Sequence, residues 1–127
     1  MNASVPAGIV AMPPSRFERW LLAGIVVLGL VVSGVIARDR LTWALEVIWA
    51  MVGLVLVAWT WKGFPLTRLL CWLLMLHALV LIHGGTYTYA QTPLGFWLQD
   101  VLGTLRNPWD RLGHWMQGFV PAILARE

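Results

Sequence analysis

The sequence predicts an all-α fold: a polytopic helical membrane protein with three to four transmembrane helices and one amphipathic interfacial helix. Three observations carry this. First, hydrophobic residues make up 59% of the 127 residues and charged residues only 12%, at a mean hydropathy of +0.73. A soluble domain carries about 25% charged residues, and one this small has no core large enough to hide so many apolar side chains. Second, the apolar residues fall into uncharged runs of helical length, separated by short breaks that carry basic residues, Gly or Pro. Third, the chain holds nine tryptophans, and indole rings favour the headgroup zone of a bilayer.

Residues 1–15 are small, uncharged and contain prolines, which reads as a flexible N-terminal tail. Residues 16–127 read as a single membrane domain. Arg16, Glu18 and Arg19 open a first span at 20–37, an uncharged run long enough to cross roughly 30 Å of hydrocarbon. A basic start, an apolar run and Val35-Ile36-Ala37 also fit a cleaved signal peptide. The run is longer than such segments usually are, and further spans follow. A second span is expected at 42–61. Its uncharged part, Val47 to Trp61, is too short to cross alone, which puts Glu46 inside the membrane edge. Lys62 to Arg68 form a turn with Gly63 and Pro65 as breakers. The third span, at 69–84, carries His77 and His83 and is expected to end at Gly84-Gly85, with Tyr87 and Tyr89 at the interface.

Residues 93–105 differ in kind. Thr92 suits a cap and Pro93 a first helical position. Leu94, Trp97, Leu98, Val101, Leu102 and Leu105 share one helical face, away from Gln99, Asp100 and Thr104. The segment reaches about 20 Å, too short to span, and reads as the interfacial helix. After Arg106, Asn107 caps a further helix with Pro108 in its first position, giving a fourth span at 109–125 that starts polar and contains Pro121. Its early end suggests a chain truncated at its C-terminus.

The remaining composition excludes more than it assigns. The net charge is +3, but the nine basic residues stand singly or in pairs between apolar runs, so nucleic-acid binding has no footprint. Cys71, the single cysteine, cannot form an intrachain disulfide and reads as a buried hydrophobe. No nucleotide loop, nucleophile elbow, His-Glu-x-x-His or haem-attachment motif is present. Arg16, Arg19, Lys62, Arg68 and Arg126 fall on one side of the membrane and Arg38, Arg40, Arg106 and Arg111 on the other, a slight lean toward a cytoplasmic N-terminus.

Antiparallel threading gathers Arg38, Arg40, Glu46, His83, Asp110 and His114 at one face. Ionisable groups in a membrane are costly, so they pair or line a polar cavity. Asp110 and His114 are one turn apart on one helix face, a spacing that suits a metal site or a carboxylate orienting an imidazole. His114, Asp110 and Glu46 are therefore the candidate catalytic residues, and His83, His114 and Asp110 the candidate metal ligands. Structural roles compete with these. Asp110 fits the first turn of a helix, and Glu46 fits an ion pair with Arg38 or Arg40. His77 fits a hydrogen bond between helices. Gly29, Ser33 and Ala37 form a small-residue stripe on the first span that suits close approach of another helix, including one from a second copy.

Several stretches resemble a known family. They are Asp39-Arg40-Leu41-Thr42-Trp43-Ala44-Leu45-Glu46-Val47, His77-Ala78-Leu79, Tyr87-Thr88-Tyr89-Ala90, Pro93-Leu94-Gly95-Phe96-Trp97-Leu98-Gln99 and Asp110-Arg111-Leu112-Gly113-His114. The last continues into Gln117-Gly118-Phe119-Val120-Pro121-Ala122 and Ala125-Arg126-Glu127. From about Asp39 onward the chain resembles the YjdF-type bacterial inner-membrane proteins, a family of unknown function. The resemblance implies a multi-pass inner-membrane protein with further helices beyond Glu127, and it brings no known activity with it. It also leads one to expect a histidine after the Gly-Gly pair, where this chain has Thr86.

Three functions remain in view. The leading one is a structural or binding membrane protein. The second is a membrane-embedded, metal-assisted hydrolase using Asp110 and His114. The third is a small transporter module, least favoured because no internal repeat or pair of broken helices is visible. No cofactor is assigned, and the lipid bilayer is the one partner the composition requires.

Overall fold

The computed structural model describes residues 12–127, so all of the expected N-terminal tail before residue 12 lies outside the described residues. Five α-helices follow: α1 Arg16–Ile36, α2 Arg40–Thr60, α3 Arg68–Tyr87, α4 Pro93–Leu102 and α5 Trp109–Arg126, with a 3₁₀ turn at Tyr89–Gln91. Helices α1, α2 and α3 are each long and apolar enough to cross a bilayer. All three start on a side chain that accepts one of the first turn's free N–H groups. Ser15 takes that of Glu18, Asp39 that of Leu41, and Thr67 that of Leu70. The helices therefore begin before the expected spans at 20–37, 42–61 and 69–84. Charge fixes where a helix meets the headgroups; the cap fixes where it starts. At the far end of α3, the glycine pair does not stop the helix, which continues to Tyr87.

Helix α3 is the hub, with α1, α2 and α5 packed around it. One core joins Leu22 and Val26 of α1, Val47 and Ala50 of α2, and Met75, Ala78 and Ile82 of α3. A second joins Leu66 and Leu70 to Met116 and Val120 of α5. Large apolar side chains elsewhere point outward: Trp49 is 70% exposed and Trp59 80%. That distribution suits a chain whose solvent is lipid.

The small-residue stripe of α1 faces its own chain. A β-carbon at Gly29 would meet Ile82 and Leu79 of α3 at 3.4 and 3.5 Å. Ser33 is buried and accepts a 2.8 Å hydrogen bond from the Trp43 indole of α2. Ala37 forms the C-terminal cap of the helix.

The other two helices correct the expected boundaries. Helix α4 stops at Leu102, short of residue 105, because Gly103 takes a left-handed conformation (φ 67°) and its N–H and that of Thr104 both close on the Gln99 carbonyl. Helix α5 starts at Trp109, whose N–H is capped by the Asn107 side chain at 3.0 Å, so Pro108 precedes the helix instead of opening it. It is not among the helices apolar enough to count as a span by composition. It nevertheless runs antiparallel along α3. The Trp109 indole reaches the Val80 carbonyl (3.2 Å), and at the other end Glu127 accepts from the Thr67 hydroxyl and N–H.

The membrane face that carries the N-terminus of α3 holds a polar staple. Glu18 of α1 pairs with Arg68 of α3 at 3.0 Å and accepts from the Trp72 indole at 2.7 Å. The Arg19 guanidinium lies 4.8 Å from the centre of the Trp61 ring.

Candidate functional site

The site forms at the opposite face, where α2 and α5 start and α3 ends. Four of its residues come from one stripe of α5. Asp110, Gly113, His114 and Gln117 recur at the spacing of a single helix face. Helix α2 brings Glu46 across from them, and the 3₁₀ turn brings Tyr89 between. Together these six residues line a cleft of about 180 Å³.

Glycine at three positions allows the elements to meet. A β-carbon at Gly85 would stand 3.0 Å from that of Glu46 and 3.5 Å from the backbone of Trp43, so α2 lies against α3 where Glu46 projects. The Tyr89 ring occupies a slot between Gly84 of α3 and Gly113 of α5. The chain turns into that slot through Thr88, whose φ of 64° and ψ of 146° are rarely adopted by any residue other than glycine.

The Tyr89 hydroxyl is buried and has no hydrogen-bond partner among the described residues. Burial raises its pKa above the ordinary phenol value, and the nearby charges of Glu46 and Asp110 add to the effect. Tyr89 therefore stays protonated at physiological pH and sits in a negative potential. Glu46 is half-buried and forms no ion pair with Arg38, Arg40 or any other basic group among the described residues.

Asp110 and His114 do meet. The His114 Nδ1 lies 3.2 Å from an Asp110 carboxylate oxygen and 2.8 Å from the Asp110 carbonyl oxygen. A carbonyl oxygen only accepts, so Nδ1 carries the proton and donates, which leaves Nε2 as the acceptor in the neutral ring. Both side chains are open to the surroundings, at 59% and 72% exposure.

Glu46, Asp110 and His114 are thus brought together, but His83 is not. Gly85 packs on Glu46, and His83, two residues earlier, points about 200° around the helix from it. The His83 ring instead lies edge-on to Trp109 (4.7 Å) and Tyr87 (5.3 Å), on the wall of a separate apolar groove. The three-ligand set of His83, His114 and Asp110 is therefore not assembled. Among the described residues no three His, Cys, Asp or Glu side chains are grouped as a metal site requires. The His77 Nε2 is buried without the hydrogen bond expected of it.

Sequence reasoning missed Tyr89, Gly113 and Gln117 as cleft residues. The spacing of Gly113 and Gln117 from Asp110, three and seven residues on, held the signal for those two. Tyr89 read as an interfacial aromatic, because nothing local shows that its ring folds back against α3.

Residues 18–127 match a family described as predicted membrane protein (DUF2238). Over 98 residues the chain is 49% identical to the inner membrane protein YjdF of Escherichia coli (strain K12), which covers 77% of this chain and 47% of that protein. The chain thus spans about half the length of that relative. No solved structure matches it.

Proposed function

This chain belongs to the DUF2238 family of predicted membrane proteins, and we propose that it is a binding protein of the bacterial inner membrane whose cleft holds a small cationic group. One observation carries the reading. Glu46 stands on an apolar helix, half-buried and without a countercharge among the described residues, facing the same cleft as Asp110. A carboxylate inside a membrane is expensive unless something compensates it. An alkylammonium group would supply the missing charge. It would donate to Glu46, to Asp110 and to the Gln117 side-chain oxygen, while Asp110 fixes the orientation of His114.

The metal-assisted hydrolase has less support. An imidazole oriented by a carboxylate is what acid–base chemistry uses, but the third ligand that would hold a metal is turned away on α3. Self-association through Gly29, Ser33 and Ala37 also has little support, because that stripe already packs within the chain.

Methylammonium titrated into the detergent-solubilised chain tests the proposal by calorimetry. Saturable binding is expected, weakened roughly tenfold or more in Glu46→Gln with an unchanged melting temperature. Absence of binding to the wild-type chain, or equal binding to the variant, overturns it.

A further inference from the structure

A second cavity lies on the other side of α3. It is an apolar groove of about 570 Å³ between α1 and α5, floored by α3 from Leu76 to Tyr87 and closed at one end by Leu94 of α4. That stretch of floor extends about 16 Å, from mid-membrane to the face where α3 ends. Its walls are almost wholly hydrocarbon, with Val32, Ile36, Leu79 and Met116 among them. Three hydroxyls and the His83 imidazole stand in the lining, and two of the hydroxyls are already engaged inside the chain. Ser33 bonds to the Leu30 carbonyl and the Trp43 indole, and Thr86 donates to the Ile82 carbonyl at 2.6 Å. The groove thus offers mainly hydrocarbon contact, with the His83 Nε2, which has no hydrogen-bond partner among the described residues, and the Tyr87 hydroxyl as the polar atoms left in its wall.

The end at the membrane face is different. The Arg38 N–H donates to the Thr86 carbonyl (3.2 Å), and its guanidinium stands 5.5 Å from the centre of the Tyr87 ring, itself part of the lining. Arg38 is exposed and pairs with no carboxylate among the described residues. The acidic residue next to it, Asp39, is engaged in capping α2 through Leu41 and Thr42. A long apolar groove ending at an uncompensated guanidinium complements one kind of molecule: a hydrocarbon chain with an anionic head.

From this juxtaposition we infer that the groove between α1 and α5 is a binding site for an anionic phospholipid. One acyl chain lies along α3 and the phosphate lies at Arg38. Arginine suits the role because its planar fork pairs with phosphate oxygens while its face rests on the aromatic ring. The site is separate from the cleft of Glu46 and does not depend on what that cleft binds.

Native mass spectrometry of the chain, released from a neutral detergent with equal amounts of phosphatidylglycerol and phosphatidylcholine of identical acyl chains, tests the inference. One phosphatidylglycerol per chain is expected, at about fivefold preference, the worth of one basic residue facing an anionic headgroup. Arg38→Gln removes the preference, whereas Lys62→Gln, at the opposite membrane face, leaves it unchanged. Val32→Trp, which fills the groove from a position 48% exposed, lowers retention of both lipids. Melting curves check that each variant is folded. Equal retention of both lipids by the wild-type chain overturns the inference, as does a preference that survives Arg38→Gln. Lipid-free dimers that Val32→Trp dissociates also overturn it, because the groove would then be filled by a second copy.

Discussion

Gly84 of α3 and Gly113 of α5 face one another across a single aromatic ring, that of Tyr89. A β-carbon at Gly84 would stand 2.7 Å from a ring carbon, and one at Gly113 would stand 2.9 Å from another. Both distances are well inside van der Waals contact, and the ring is held from both sides. Gly84→Ala is therefore expected to destabilise the chain. Overpacking costs about 1–3 kcal/mol, against a gain of up to about 1 kcal/mol for replacing a helical glycine. Gly53→Ala, at a helical glycine with nothing within 4 Å, takes the gain without the clash. Thermal melts in detergent check this: Gly84→Ala melts below the wild type and Gly53→Ala at or above it. The reverse order would show that the slot yields.

Much of this arrangement was legible in the sequence because it depends on local pattern. The apolar runs locate α1, α2 and α3, and Asp110 with His114 reads directly as one helical turn. Glu46 reads as membrane-embedded because Val47 to Trp61 cannot cross alone. What was not legible depends on rotation and on distant partners. His83 shares a membrane depth with the site yet faces away from it, since depth follows from residue count and direction follows from which face α3 turns toward α2. Glu18 and Arg68 form an ion pair across 50 residues of sequence, which no local period encodes. The α1 stripe was visible, but its partners, Trp43 and Ile82, were not.

Asp39 links helix capping to pH. Its carboxylate accepts from the Thr42 hydroxyl at 2.7 Å and the Leu41 N–H at 3.0 Å. These bonds, the first above all, hold its pKa below the ordinary carboxyl value. A depressed folded-state pKa contributes stability that is fully present above the unfolded value and is lost as pH falls through the folded one. The melting temperature is therefore expected to decline on the acid side of the carboxyl range. Asp39→Asn, which caps without titrating, should flatten part of that decline. Asp39→Ala should melt lower at neutral pH as well. Melts of the three proteins from neutral to strongly acidic pH decide the matter. A gap between wild type and Asp39→Asn that does not change with pH would rule out the linkage.

Thr88 stores strain for the sake of where it sends the chain. Its φ of 64° with ψ of 146° puts a β-branched residue where side chains clash with the backbone, at a cost of roughly 1–3 kcal/mol. The benefit is positional, because the residue turns the chain back so that Tyr89 enters the slot between α3 and α5. The Thr88 hydroxyl makes no hydrogen bond among the described residues, so removing the side chain forfeits no bond. Glycine adopts this conformation freely but loses about 0.5–1 kcal/mol more conformational entropy on folding. Thr88→Gly is accordingly expected to raise stability by about 1 kcal/mol, and Thr88→Ala, which keeps the offending β-carbon, to give no such gain. Thermal melts of the two variants beside the wild type measure the difference. Equal melting of Thr88→Gly and Thr88→Ala would mean that the turn relaxes without strain. In that case the slot between Gly84 and Gly113, not the turn, is what holds Tyr89 over the cleft.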